Sequence, residues 1–191
     1  MKKMIAPLLL ILAAATMAAG EDMDPANCPL HEQHMKEAAK KAAAETVVPN
    51  GDAQHGAGVD ARHDTLVASH QTTRHSFRLF ADGGAIELRA VDPADQATVD
   101  AVRIHLQDIA AQFAKNDFST PAFVHGRRPA GVAAMQRLHD SIQFRYEDRD
   151  GGGRIHITTA DSAALAAIHE FLKFQVIEHR TANSGVVEKD Q

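Results

Sequence analysis

Several residue types are scarce in this 191-residue chain, and each scarcity excludes something. The chain has no Trp, one Tyr and a single Cys, Cys28. One cysteine cannot form an intramolecular disulfide, so a stable fold requires an ordinary hydrophobic core. Lys and Arg number 20 against 25 Asp and Glu, and this acidic balance argues against nucleic acid as a partner.

Long apolar runs are also scarce, and the clearest one lies at the N-terminus. Residues 1–20 begin with two lysines, continue with an apolar run over 4–15 and end in small residues. This order is typical of a cleavable secretory signal peptide. The apolar run is shorter than the ~20 residues of a transmembrane helix. We therefore predict cleavage after Gly20, a periplasmic or secreted location, and no membrane association after cleavage.

The N-terminal third of the mature chain differs in composition from the rest. Residues 21–69 have few large apolar side chains, which predicts a flexible, histidine-containing arm. Residues 32–46 are rich in strong helix formers and predict the one helix of this arm. Residues 51–64 are largely Gly, Ala, Asp and His, which is typical of a linker. At the other end of the chain, residues 182–191 are predicted to be a disordered tail.

Residues 70–181 carry the periodic patterns of a folded domain. Apolar side chains alternate in two strand-turn-strand units, and each turn contains consecutive glycines, Gly83-Gly84 and then Gly151 to Gly153. A helix with an apolar stripe follows each unit. The sequence therefore predicts an α+β domain of two β-β-α repeats. These form a four-stranded, mainly antiparallel sheet with the helices on one face.

Histidine is abundant, with 12 residues, and it is the commonest metal ligand in proteins. One group lies in the arm: Cys28, His31, His34 and Met35 share one face if this segment is helical. Thiolate, imidazole and thioether donors together suit copper(I) or zinc. The alternative interpretation is a polar tail that carries a spare cysteine.

A second set of candidate metal ligands lies in the domain: His70, His75, His105, His125, His169 and His179. His75 falls on the inward register of the first strand, and His179 lies on the apolar stripe of the last helix. His105 borders the stripe of the first helix. A buried imidazole needs hydrogen-bond partners, so each one alone is better interpreted as a core histidine. Their number nevertheless favours at least one converging pair.

The sequence patterns of common enzymes are missing. His31 and His34 are three residues apart, whereas the zinc-protease helix places its histidines four apart. No G-x-S-x-G nucleophile elbow is present, and the glycine run at 151–153 lacks the Lys-Ser/Thr of a phosphate loop. A hydrolase or transferase site near His125, Arg127 and Arg128 therefore ranks last among our hypotheses.

Parts of the domain resemble a known family. The segments HSFRLFADGGAIELRAVD, VRIHLQDIAAQF, PAFVHG, GVAAMQRL and AIHEFLKFQVIEHRT are similar to an uncharacterised family of small exported bacterial proteins, over roughly residues 65–182. The resemblance implies export and a duplicated β-β-α domain, and it supplies no catalytic residues. Some relatives carry an aspartate carbamoyltransferase label, but the Ser-Thr-Arg-Thr carbamoyl-phosphate loop of that enzyme is absent here.

These observations predict an exported metal-binding protein that handles copper or zinc through Cys, His and Met ligands. The alternative is a non-enzymatic interaction module, in which open sheet edges pair with a second copy to give a homodimer and the histidines are structural.

Overall fold

A computed structural model describes residues 51–189, with side chains described from residue 56 onward. The signal peptide at 1–20, the helix at 32–46 and the Cys28, His31, His34 and Met35 cluster lie outside the described residues. In chain order the elements are α1 Gly51–Asp64, β1 Thr73–Phe80, β2 Gly83–Ala90, α2 Gln96–Ala114, α3 Ser119–His125, α4 Val132–Arg137, a 3-10 turn His139–Ser141, β3 Ile142–Arg149, β4 Gly152–Thr159, α5 Ser162–Glu178 and β5 Val187–Glu188.

The strands form one sheet in the order β3-β4-β2-β1-β5. β1 and β2, β2 and β4, and β3 and β4 pair antiparallel, whereas β5 pairs with β1 in parallel. The predicted α+β class is therefore confirmed. The predicted number of four strands is wrong, because the sheet has five. The fifth strand pairs in parallel, which makes the sheet mixed. Each hairpin is followed by a long helix along the chain, but the internal repeat itself stays a prediction.

The fifth strand belongs to the segment that we predicted to be a disordered tail. The backbone N–H of Phe77 donates to the side-chain oxygen of Asn183 at 3.1 Å, and Arg78 forms an ion pair with Glu188 at 2.8 Å. These contacts hold the segment against the edge of β1. A strand of two residues has no measurable periodicity, so the sequence pattern does not reveal it.

One face of the sheet packs against α2 and α5 and forms the hydrophobic core. Side chains alternate between the two faces of a strand, so every second residue of β1, β2 and β4 points toward the helices. The buried core residues of the sheet include Phe77, Leu79, Ile86, Leu88, Ile142, Ile155 and Ile157, and those of the two helices include Val102, Leu106, Ile109, Phe113, Ile168, Phe171 and Leu172.

Helix α1 replaces the linker that we predicted for residues 51–64. Its glycines lower the intrinsic helix propensity, but contacts with the domain compensate for this. Val59 is fully buried, and the guanidinium of Arg62 donates to the carbonyl oxygen of Val124 at 2.6 Å. The folded unit therefore begins before residue 70, and α1 adds His63 to it.

The turn between β1 and β2 requires glycine at position 83. Gly83 has a φ of +152°, and an added Cβ would lie 1.9 Å from the carbonyl oxygen of Ile157. We expect Gly83→Ala to destabilise the protein by about 3 kcal/mol in urea unfolding, since strain and overlap act together. Gly58→Ala is the control, because it lies inside α1 with 3.4 Å to the nearest atom, a flexible Arg62 side chain. The Gly58→Ala variant should gain about 0.5–1 kcal/mol in its free energy of unfolding. Equal changes in stability for Gly83→Ala and Gly58→Ala would contradict this account.

Candidate metal centre

Five histidine side chains, contributed by five different parts of the fold, meet at the core. His63 comes from α1, His75 from β1, His105 from α2 and His125 from α3, while His179 directly follows α5. The ring centroid of His63 lies 4.4 Å from that of His75, 5.6 Å from that of His105 and 6.0 Å from that of His179. The His179 centroid lies 4.8 Å from that of His75 and 5.1 Å from that of His125. We call these five residues the histidine cluster.

The cluster lines a pocket of about 60 Å³. His63 and His125 are buried, whereas the other three histidines are partly exposed. Apart from the cluster, Thr120 and Gln175 are the polar residues of the lining, and the remaining wall consists of core side chains such as Leu88 and Phe113. The pocket wall therefore consists of imidazole rings together with apolar side chains of the core.

His63 is the residue of the cluster with the most unusual surroundings. Its side chain is 4% exposed, and neither ring nitrogen has a hydrogen-bond partner among the described residues. Burying a polar group without such a partner costs about 1–3 kcal/mol. Buried polar groups in native structures are almost always paired, so a group left like this one requires a specific explanation.

Three histidines of the cluster, His63, His75 and His179, favour the neutral form of the imidazole. Burial lowers the pKa of His63 well below its usual value, and the neighbouring charges of His75, His105 and His179 lower it further. Burial also lowers the pKa of His75, with smaller contributions from His179 and His105. For His179, burial first and then His125 lower the pKa to about 3, although Glu178 opposes the shift. Neutral imidazole is the form that binds metal ions, so these rings need to lose no proton at pH 7.

His125 stands at the edge of the cluster and is held by α5. Its Nε2 lies 2.9 Å from Oε1 of Gln175, and its Nδ1 lies 3.6 Å from a carboxylate oxygen of Glu178. Gln175 is 3% exposed, and its side-chain nitrogen has no hydrogen-bond partner among the described residues. These contacts orient the His125 ring, whose centroid lies 5.1 Å from that of His179. His125 therefore fits a supporting position better than a central one.

Four of the six domain histidines that the sequence singled out are brought together: His75, His105, His125 and His179. The other two are engaged elsewhere. His70 is exposed, and its Nδ1 lies 2.8 Å from the carboxylate of Asp64. The Nε2 of His169 lies 2.9 Å from the carbonyl oxygens of Phe80 and Gly83, so it donates to the turn between β1 and β2. The structure gives these two histidines local roles.

Sequence reasoning missed His63, because residues 51–64 were interpreted as a linker. A signal for it was present: Val59 and His63 are four residues apart and share one face of a helix. That face is the buried one, since Val59 and His63 are 0% and 4% exposed. The glycines around these residues masked the pattern.

The ring nitrogens do not converge on one point in the described structure. Among residues 56–189, no group of three or more His, Cys, Asp or Glu side chains has a ready metal-binding arrangement. The rings instead make mutual contacts, His63 lying edge-on to His75, His105 and His179. Any shared ligand would therefore require the rings to rotate.

No protein-family model, curated protein or solved structure matches this chain. Among the described helices, none is both long and apolar enough to cross a membrane. We therefore infer a function from the geometry of the histidine cluster.

Proposed function

We propose that this chain is an exported metal-binding protein whose histidine cluster holds a copper or zinc ion. The observation that carries the proposal is His63, a buried imidazole whose two nitrogens have no hydrogen-bond partner in the described part of the chain, while its ring contacts three other histidines. An ion bound to one of these nitrogens would remove the energetic penalty of leaving it unpaired.

The ring separations support His63, His75, His105 and His179 as the ligands. Two imidazoles on one tetrahedral ion, with metal–nitrogen distances of about 2.0–2.1 Å, have ring centroids about 5 Å apart. The separations from His63 are 4.4, 5.6 and 6.0 Å. The last side-chain torsion of histidine is broad, so ring rotation provides the remaining adjustment.

The donor chemistry favours zinc or copper over magnesium and calcium. The four proposed ligands offer nitrogen alone, and imidazole suits zinc and copper, whereas magnesium and calcium prefer oxygen. The Cys28, His31, His34 and Met35 set, outside the described residues, is proposed to capture the ion first. The predicted signal peptide would bring both sites to the periplasm or the outside of the cell.

The proposal is tested by titrating the untagged chain 21–191 with zinc(II), copper(II) and copper(I). We expect at least one ion per chain with a Kd below about 1 μM, equivalent to about −8 kcal/mol. A variant with Cys28, His31, His34 and Met35 all changed to Ala should keep one of the bound ions, because the histidine cluster is intact. Failure of this variant to bind any of the three ions stoichiometrically would contradict the proposal, because its histidine cluster is unchanged.

The alternative, an interaction module that forms a homodimer, has one observation in its favour. β3, Ile142–Arg149, is an eight-residue strand at the edge of the sheet. However, this strand carries Arg145, Glu147, Asp148 and Arg149, and charged side chains protect an edge strand from pairing. We therefore rank this function second. A homodimer in light scattering that persists in the presence of a chelator would favour it.

A further inference from the structure

The face of the sheet that points away from α2 and α5 carries a concentration of arginine. We propose that this face docks the acidic segment 21–32 of the same chain. The segment lies outside the described residues, whereas the strands that would receive it are described. No metal ion takes part in this contact, which is therefore independent of the proposed function.

The strand register brings the arginines together on one side of the sheet. Glu87 on β2 lies directly opposite Arg154 on β4, and Arg154 lies opposite Glu147 on β3, which gives one row across three strands. Side chains alternate along a strand, so the residues two positions before and after this row point to the same side. The arginines on this side are Arg74, Arg78, Arg89, Arg145, Arg149 and Arg154. We call these six residues the arginine face.

The arginine face carries more positive than negative charge. Glu87 and Glu147 point to it from β2 and β3, and Glu188 adds a third carboxylate from β5. Glu147 is shared, because it lies 3.9 Å from Arg145 and 3.5 Å from Arg149. Six guanidinium groups therefore meet three carboxylates, an excess of three positive charges on a chain whose net charge is −5.

The centre of the arginine face is buried, although α2 and α5 pack on the opposite side of the sheet. Glu87 is 7% exposed and Arg154 is 4% exposed, and the two side chains form an ion pair. Arg89 and Arg145, farther from the centre, have side chains that are 45% and 70% exposed. Removing charged groups from water is costly, and protein interfaces typically combine a desolvated centre with a polar, accessible rim. The face therefore has the form of a binding surface for an acidic partner.

Segment 21–32 has the charge that this face requires. It contains Glu21, Asp22, Asp24 and Glu32, and neither Lys nor Arg. Its few large apolar side chains do not favour packing on a hydrophobic core. Carboxylates can nevertheless hold it on the face, because arginine binds a carboxylate through two parallel hydrogen bonds.

The length of the connection permits docking within one chain. Residues 33–50 separate the segment from α1, and these 18 residues span at most about 60 Å. A domain of this size is about 40 Å across. Such a tether gives the segment an effective concentration on the order of millimolar at the face, so individually weak ion pairs suffice. We therefore favour the chain's own segment over a separate acidic protein.

A nitroxide attached to Cys28, the single cysteine of the chain, reports where the segment lies. In the 15N-labelled chain 21–191, the nitroxide should enhance the relaxation of the Arg154 amide at least fivefold more than that of the Leu172 amide on α5. The same sample with the nitroxide reduced provides the reference. About 0.5 M NaCl should remove most of the enhancement, because salt screens exposed charges. Equal enhancement at the two amides, or none at either, would overturn the inference.

Charge reversal on the arginine face provides a second test. The double variant Arg89→Glu and Arg145→Glu should reduce the enhancement at Arg154 at least fivefold. The matched control is Arg128→Glu with Arg137→Glu, which makes the same change in net charge at two exposed arginines at or near the ends of α4. This control should keep the wild-type enhancement, and equal reductions in the two double variants would contradict docking on the arginine face.

A mixing experiment distinguishes the chain's own segment from that of a second copy. The 15N-labelled chain without nitroxide is mixed with an equal amount of nitroxide-labelled chain at natural isotope abundance. We expect no enhancement at Arg154 in the mixture. Enhancement of the same size as in the doubly labelled chain would place a neighbouring chain's segment on the face and overturn docking within one chain.

Discussion

Replacing His63 by leucine should weaken metal binding at least 100-fold and leave the metal-free protein as stable as the wild type or more stable. A 100-fold loss corresponds to about 2.7 kcal/mol, as expected when one of four ligands is removed. The stability result follows from the surroundings of His63, which is 4% exposed with both nitrogens unpartnered among the described residues. Leucine removes the unpaired polar group and keeps apolar volume, so we expect a gain of about 0–2 kcal/mol.

His139→Leu is the matched control for this experiment. The Nε2 of His139 lies 2.9 Å from the carbonyl oxygen of Phe113, and this histidine is outside the cluster. Its removal should cost about 1 kcal/mol in urea unfolding and leave metal affinity unchanged. If the metal-free His63→Leu variant loses several kcal/mol in its free energy of unfolding, His63 is a structural core residue. Unchanged metal affinity in that variant would show that the ligand set is wrong.

The changes in stability expected for the two variants have opposite signs, because His63→Leu should stabilise the metal-free protein and His139→Leu should destabilise it. A histidine that serves the fold has a ring nitrogen paired, as His139 and His169 do. A binding residue has ring nitrogens that the folded chain leaves unpaired, because their partner is a ligand, and this lowers the stability of the ligand-free protein. Stability and affinity measured on the same variants therefore separate the two interpretations of this histidine-rich chain.

Part of this site could be predicted from the sequence, because strand and helix periodicities report which face a residue occupies. Alternation along β1 placed His75 with the core residues Phe77 and Leu79, and helical spacing placed His179 on the stripe of α5. Both predictions of position are local, since they need only the neighbouring residues of one element.

The remainder of the site could not be predicted, because it depends on contacts between distant segments. Helix α1 is stabilised by contacts such as Arg62 with Val124, a partner 62 residues away, and its glycine-rich sequence does not favour a helix by itself. The ring contact of His63 with His179 joins residues from opposite ends of the domain. Periodicity contains no information on which elements meet, so the convergence required a structure.

Lowering the pH from 7.5 to 5.5 should destabilise the metal-free protein by up to about 4 kcal/mol. Burial holds the pKa values of His63, His75 and His179 below the value of about 6.5 in the unfolded chain. Above pH 6.5 neither state binds these protons, so the stability is fully present. Below pH 6.5 the unfolded chain takes up protons that the folded protein does not, and each histidine then lowers stability by about 1.4 kcal/mol per pH unit. For His179 this loss continues until the pH approaches its folded pKa of about 3.

Urea unfolding at the two pH values, with a chelator present, measures this loss directly. The His63→Leu variant has one titrating histidine fewer, so its loss should fall to about 3 kcal/mol. Equal losses in the two proteins, or stability that is independent of pH, would contradict a neutral cluster.

Metal affinity should behave differently from stability over the same pH range. An ordinary histidine ligand with a pKa of about 6.5 loses about tenfold in affinity between pH 7.5 and 5.5, because the proton competes with the ion. Three of the four proposed ligands, His63, His75 and His179, have a lowered pKa and already exclude that proton in the folded state, so the metal affinity of the native protein should fall by no more than about tenfold, the loss expected for one ordinary histidine ligand. A steep fall would place the ion on exposed histidines such as His70, whose side chain is 47% exposed, instead of on the buried cluster.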